Sequence, residues 1–559
     1  MDKRINFISG LFLFLFILII YRLFYWQVLS FEHLGSLAEK QRSVISSIPA
    51  LRGKIFSSDG NPLVLNQRAF SIILQPQKIQ NKDMAYFILS KELNISVSSI
   101  SGKLINNQAL WIPIADRVDE SIVEKIKKHK LKGVEFLEGT KRYYPEGSMA
   151  AHLLGFVGKN TKGEDQGYFG IEGYYDEQLR GRNGILREET DAKGNPIFTG
   201  KRESIQVENG RDLYLYLDKT VQFIVETRLK QGIEKYKAKG GTIIVLDPYT
   251  GGIIAGASFP SYSQEEYFKF PSEYYKNPMV SFSYEPGSTF KVLVMAAALN
   301  EGKLTLNDKC SEDGPLKIGE YNIKTWNQKY HGEISLTQVL EYSSNVCMVF
   351  VQKHLEKDVF LRYLSDFGLG HSTGVDLEDE TYPEMRAKNK WYEIDYATAS
   401  FGQGIAVTPL QMVRAVAAIA NGGKLMIPMV VKTIGFTDGK KVEIRPKVEK
   451  IILKPEIARV VTEMMVSAVD NGEVRYAKPN GYRVAGKTGT AQIPISGHYD
   501  TEKTIASFVG FAPADSAKFV MLVTLREPSV SPWGSETAAP IFFDIARDLF
   551  SYYHISPSE

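Results

Sequence analysis

Residues 241–258 read GTIIVLDPYTGGIIAGAS, two apolar runs around a loop, Asp247 to Gly252, built from turn residues. That pattern is a β-hairpin. Upstream, Leu213 to Asp218 reads as a strand and Lys219 to Tyr236 as an amphipathic helix. Downstream, long helices dominate, at Phe290 to Leu299, Leu336 to Leu355 and Pro409 to Ala420. Apolar strands return at Ile505 to Phe511 and Phe519 to Leu525. Helices followed by a closing antiparallel sheet predict an α+β or mixed α/β layered domain.

The whole chain has 559 residues, too many for one hydrophobic core. It is 44% hydrophobic and 23% charged, which excludes a disordered or collagen-like chain. Lys+Arg 67 against Asp+Glu 64 leaves a net charge of +3, too balanced for a dedicated nucleic-acid binder. The two cysteines, Cys310 and Cys347, have no CxxC spacing, which argues against a zinc ribbon, an iron–sulfur cluster or a disulfide scaffold. They read as small buried hydrophobes.

Outward to the N-terminus, Phe7 to Tyr21 carries no charge, with Lys3 and Arg4 before it and Arg22 after it. Counted from Ile5, with Arg22 snorkelling, the run reaches the ~20 residues of a spanning helix. Tyr21, Tyr25 and Trp26 suit an aromatic belt. A cleaved signal peptide is the rival reading, but Ser36-Leu37-Ala38 is a poor cleavage site lying well past the apolar run. Lys3 and Arg4 place the N-terminus in the cytoplasm and the body outside. Residues 27–45 read as a helical stalk. Leu51 to Val64 reads as strand, turn and strand around Asp59-Gly60-Asn61-Pro62. Val118 to His129 reads as a polar helix, and the dense glycines of 155–184 indicate turns.

Three short motifs follow in order. Ser288-Thr289-Phe290-Lys291 sits after the turn Pro286-Gly287, at the start of a helix. Its ordinary reading is an N-cap serine. The chemical one is that i, i+3 spacing puts the Lys291 amine beside the Ser288 hydroxyl, where a desolvated lysine near another cation can take the proton. Ser343-Ser344-Asn345 lies inside or just before a helix, and alone reads as a cap or polar helix face. Lys487-Thr488-Gly489-Thr490 reads as a strand whose glycine admits a close backbone approach, or as an ordinary edge-strand lysine.

In this order, S-x-x-K, S-x-N and K-T-G resemble the signature of penicillin-binding proteins and class A β-lactamases. The likeness extends along the chain. Arg52-Gly53-Lys54-Ile55 with Asp59-Gly60 resembles the opening motif of a class B penicillin-binding protein, with Ser58 in place of the usual Arg. Arg142-Tyr143-Tyr144-Pro145, Ala150 to Gly155, Gly170-Ile171-Glu172, Leu179-Arg180-Gly181, Ser400 to Gly404, Thr408 to Gln411 and Ala538 to Phe542 are similar to further segments of that family.

The resemblance implies a multi-domain α+β protein with one N-terminal transmembrane helix. A 1–6 cytoplasmic tail, a 7–26 span, a β-rich non-catalytic pedestal at 27–205, a transpeptidase domain at 206–550 and a 551–559 tail are expected. The catalytic domain would be an antiparallel sheet flanked by helices, like the serine β-lactamases. It implies acyl transfer. Ser288 would attack the carbonyl between two D-alanines of a peptidoglycan stem peptide, and a neighbouring amine would resolve the acyl-enzyme. Lys291 would take the serine proton, Ser343 would relay it to the leaving amine, Lys487 would tune that step, and Asn345 would hold substrate and Lys291. Thr488 and Thr490, with Lys487, would bind the terminal carboxylate, Gly489 would belong to the same substrate-binding strand, and the N–H groups of Ser288 and Thr490 would form the oxyanion hole.

No metal or organic cofactor is implied. The implied partners are stem peptides, β-lactam antibiotics, a membrane glycan polymerase of the SEDS type, and divisome or elongasome proteins, with the body outside the bacterial inner membrane. Tyr284 to Gly287 and the compact pedestal resemble the division type (FtsI-like), with the elongation type as alternative. A β-lactamase, a β-lactam sensor and a D,D-carboxypeptidase are the chemical rivals.

Overall fold

The computed structural model describes residues 2–103, 110–191, 197, 200, 202–495 and 498–558. It comprises two compact units, Met1–Arg52 with Gly181–Gly210, and Gly53–Arg180 with Arg211–Glu559.

In the first unit the apolar run is helical over Asp2–Phe24 and continues through a π-helical turn, Tyr25–Leu29. Helix closes every backbone hydrogen bond internally, which a segment in lipid requires. Asp2–Leu29 is long and apolar enough to cross a membrane, and among the described residues no other helix is. The Arg22 guanidinium lies 4.9 Å from the Trp26 ring centre and 5.6 Å from that of Tyr25, a cation–π pairing suited to a membrane interface. A helix follows over Phe31–Arg42, so the expected stalk ends there and strand Ser43–Ile48 begins. That strand pairs antiparallel with Gly184–Glu189, which pairs with Arg202–Ile205.

Among the described residues the second unit carries two large sheets, with four two-stranded ones besides. The seven-stranded one takes Ile55–Phe56, Pro62–Leu74, Ile112–Asp119 and Val134–Tyr143 together with Asp212–Leu215, Val431–Gly435 and Lys441–Glu443. Its strands therefore come from both sides of residue 206, joined where Leu213 pairs in parallel with Ile55. Behind it, Arg142 donates from Nε to Glu172 Oε1 at 2.8 Å and from Nη1 to Asn66 Oδ1 at 2.8 Å, and Glu172 is fully buried. A buried carboxylate holds its charge only when paired, so these two residues lock distant segments together.

The five-stranded sheet is antiparallel throughout, in the order Ile253–Phe259, Gly240–Leu246, Phe519–Arg526, His498–Ala512, Ala485–Ile495. Both faces are covered. Ile243, Val245, Met521 and Val523 pack with helices Lys219–Tyr236 and Ala538–Tyr552, while Ile244, Leu246, Val520 and Leu522 share a core with helices Lys291–Asn300 and Pro409–Ala420. Double coverage explains why these strands are apolar at every position rather than at alternate ones. Helix Lys291–Asn300 is buried on all sides from Lys291 to Leu299, as its uniformly apolar sequence requires.

Two expectations are corrected. Leu336 to Leu355 is not one helix but two, Leu336–Glu341 and Asn345–Lys353, parted at Ser343, whose φ is +55°. Cys310 and Cys347 are not free buried thiols. They form a disulfide with Cα atoms 5.8 Å apart, tying strand Lys309–Glu312 to helix Asn345–Lys353. A single pair 37 residues apart has no spacing signal. Closing a loop of that length is worth about 4 kcal/mol in the chain-entropy description. Reduction of the full-length protein should therefore lower its denaturant midpoint well beyond error. Equal midpoints in oxidised and reduced samples would show that the bond adds no stability.

Candidate active site

The nucleophile turn is built by close backbone approach. Gly287–Phe290 forms a 3₁₀ turn that runs straight into helix Lys291–Asn300, with Gly287 at φ +55°. Gly287 N–H donates to the Gly402 carbonyl at 3.0 Å, and a Cβ on Gly402 would stand 2.2 Å from the Gly287 oxygen. Tyr284 and Val407 exchange two backbone bonds of 2.9 Å, and Gly404 N–H donates to Glu285 at 3.0 Å. The Ser400–Gly404 segment thus holds the turn from below. Ser288 is half-buried and makes no capping bond, so the N-cap reading of this serine fails.

The edge strand Ala485–Ile495 reaches the same turn from the other side. A Cβ on Gly489 would lie 2.5 Å from Ser507 Oγ, 2.8 Å from Thr289 Cγ2 and 3.0 Å from the Pro286 oxygen. Only glycine lets the strand come this near the nucleophile. As an edge, the strand keeps backbone groups unpaired on its outer side, open to an added strand.

Lys291 has no exposed surface, and its Nζ donates to the Ser343 carbonyl at 2.6 Å, Asn345 Oδ1 at 2.7 Å and Ser343 Oγ at 3.2 Å. Ser343 presents both its oxygens because its left-handed backbone turns the chain between the two helices, strain of the kind kept where a site requires it. Asn345 Nδ2 donates to the Lys324 carbonyl at 2.9 Å, fixing the amide so that its oxygen faces Lys291. Among the described residues no hydrogen bond joins Ser288 Oγ to Lys291 Nζ. Burial and, second, the charge of Lys487 drive the Lys291 pKa well below that of an ordinary lysine. A neutral amine has two N–H donors and one lone pair. The two shortest bonds take the donors, and the lone pair remains for a hydroxyl, that of Ser343 or of Ser288.

Lys487 is 4% exposed and its pKa is also lowered by burial, a fall opposed by Glu473. Its Nζ donates to Thr488 Oγ1 at 3.1 Å. Thr490 Oγ1 accepts from Gly534 N–H at 3.0 Å. A cavity of about 340 Å³ opens above the turn, lined by Ser288, Asn345, Thr490, Gln492, Trp326 and Trp533 among others. Ser288, Asn345 and Thr490 therefore face it, while Lys291, Ser343, Lys487 and Thr488 stand outside its lining. The Trp326 and Trp533 rings meet edge to face across it, 5.1 Å apart. Sequence reading passed over both, since single tryptophans outside any motif carry no signal. It passed over Glu473 too.

Comparison with known proteins agrees with this geometry. The family described as penicillin binding protein transpeptidase domain matches residues 241–547, and the penicillin-binding protein dimerisation domain matches residues 47–215. Stage V sporulation protein D of Bacillus subtilis is 33% identical over 99% of this chain and 86% of its own length. Peptidoglycan D,D-transpeptidase FtsI of Escherichia coli is 30% identical over 100% of this chain and 94% of its own. Among solved structures, penicillin binding protein 2X from Streptococcus thermophilus superposes with a TM-score of 0.74 at 26% identity, covering 91% of this chain and 80% of that one.

Proposed function

The chain belongs to the class B penicillin-binding proteins, serine-type peptidoglycan D,D-transpeptidases, and from that premise we propose the residues that carry the reaction and the setting in which it runs. Ser288 Oγ attacks the stem-peptide carbonyl as Lys291, held neutral by burial, takes its proton. The backbone N–H groups of Ser288 and Thr490 receive the oxyanion, a contribution of roughly 3 kcal/mol per donor. Ser343 passes a proton to the leaving D-alanine, and the Lys487 ammonium stabilises that transfer. Asn345 orients Lys291. Thr490 meets the terminal carboxylate, and Gly489 lets the strand reach the turn. Thr488, which was expected on the carboxylate as well, is bonded to Lys487 here. The stem peptide lies along the free side of the edge strand.

The observation that carries this reading is the Lys291 amine, fully buried and bonded to both Ser343 and Asn345, directly after the nucleophile turn. Intact mass after incubation of the full-length protein with benzylpenicillin tests it. A covalent adduct persisting for hours is the expected result, because a cross-linking site excludes water. An adduct that forms and disappears within seconds identifies a β-lactamase instead.

The protein is a single-pass membrane protein. We place it in the bacterial inner membrane, with Asp2 to Asn6 cytoplasmic on the strength of Lys3 and Arg4 and the body outside. A division role beside a SEDS-type glycan polymerase is favoured by the likeness to FtsI. The 33% identity to a sporulation protein favours a second reading, cross-linking at the sporulation stage. Depletion separates them: filamentation supports division, rounding supports elongation, and normal growth with failed spores supports the second reading.

A further inference from the structure

Helix Pro455–Asp470 ends beside the edge strand, and the turn after it places a carboxylate where neither motif nor spacing draws attention. Gly472 makes the turn tight, since a Cβ there would stand 2.2 Å from the Ala468 carbonyl of the helix and 3.1 Å from that of Glu341. Asn471 N–H closes on Ser467 O at 2.8 Å. The next residue, Glu473, is half-buried and accepts from Thr488 Oγ1 at 3.4 Å. Thr488 Oγ1 in turn accepts from Lys487 Nζ at 3.1 Å.

The direction of these bonds matters more than their lengths. A hydroxyl has one hydrogen. A carboxylate only accepts, so it draws that hydrogen to itself and leaves the Thr488 lone pairs toward Lys487. An N–H of Lys487 meets those lone pairs, a bond that the ammonium and the neutral amine both make. With the hydrogen turned the other way, Thr488 would donate and only a neutral amine could accept, so the carboxylate removes the arrangement that requires a neutral Lys487 and adds a negative charge that favours the ammonium. We propose that Glu473 is a positioning residue for the acyl transfer, acting through the Thr488 hydroxyl to hold Lys487 as an ammonium facing Ser343 and the leaving group. The inference rests on Lys291 and Lys487 being the proton-handling pair.

The charges around that pair are few. Lys291 and Lys487 repel one another across the site, and burial disfavours both ammonium forms. Glu473 offsets this for each, and among the described residues it is the one counter-charge acting on Lys487. Glu312, from strand Lys309–Glu312, acts on Lys291 as well, but it is fully buried and already paired with His331 Nδ1 at 2.9 Å. Lys324 is exposed at the cavity.

Penicillin acylation rates of the full-length protein, measured from acid to alkaline pH, test the proposal. In the wild type the rate rises as Lys291 loses its proton and falls as Lys487 loses its own. Glu473→Gln keeps the shape but removes the charge, so both lysines release protons more readily. The whole profile should move to lower pH, the alkaline limb by about one unit, and Glu473→Asp should restore part of it. Thr488→Val, which cuts the bridge and leaves the carboxylate, should lower the alkaline limb alone, and it reads the same link if the Gln variant fails to fold. A Gln profile that superposes on the wild type, or that is lower at every pH with unmoved limbs, overturns the proposal. Lys487→Ala separates this from the premise: an unchanged alkaline limb in that variant removes Lys487 from proton handling and the reading beneath the proposal with it.

Discussion

Full-length protein carrying Ser288→Ala takes up no penicillin mass at any pH, while its melting temperature stays within about 2 °C of the wild type. The expected loss of acylation is on the order of 10⁶-fold, the scale seen when the nucleophile of a serine acyl-transfer site is removed. The fold should not notice. Ser288 caps nothing, and the turn that carries it is held by neighbours, through Gly287 N–H on Gly402, Thr289 Oγ1 on the Pro286 carbonyl at 2.7 Å, and the Tyr284–Val407 backbone pair. Loss of one half-exposed hydroxyl therefore leaves every one of those bonds in place. Retained acylation in this variant would assign the nucleophile elsewhere, and the cavity holds another hydroxyl to examine at Thr490.

The same turn shows what the sequence can and cannot disclose. Regular elements were legible where one physical pattern ruled a long segment. The helix Lys219–Tyr236 falls where amphipathic spacing puts it, and the hairpin Gly240–Phe259 falls where turn residues interrupt two apolar runs. The reading failed at Leu336 to Leu355, where propensity favours an unbroken helix. There the demands of the site win, and Ser343 leaves helical geometry so that its carbonyl and hydroxyl both reach Lys291. The residues of the three motifs were legible as types in order, and the structure brings them to one place. Their division of labour was not. Thr488 reads like its neighbour Thr490, yet one hydroxyl is tied to Lys487 and the other lines the cavity beside Gly534. Alternation along a strand puts residues two apart on one face, but it does not say which partners wait there. Contacts made beyond a single element, such as the disulfide across 37 residues and the bond from Thr488 to Glu473 across 15, leave no local trace at all.

Lys291→Arg gives the second large effect, and it separates charge from basicity. The substitution preserves a cation after the nucleophile turn, and a guanidinium could still donate to the Ser343 carbonyl and Asn345 Oδ1. If Lys291 served only as a fixed positive charge, acylation would survive with a modest loss. The geometry says otherwise. Nζ has no exposed surface, its two shortest bonds match both donors of a neutral amine, and burial together with the Lys487 charge holds its pKa well below that of an ordinary lysine. Arginine does not lose a proton in this pH range and so offers no lone pair to Ser288. The acylation rate should fall by about 10⁴-fold, the upper range for removing a general base, and raising the pH should not recover it. The wild-type rate, by contrast, should climb from acid pH through a limb lying well below the ordinary lysine range, because the group must first deprotonate. Circular dichroism melting shows whether the bulkier side chain has disturbed the core helix. A folded Lys291→Arg protein that acylates within tenfold of the wild type would mean that the proton of Ser288 leaves by a route other than Lys291.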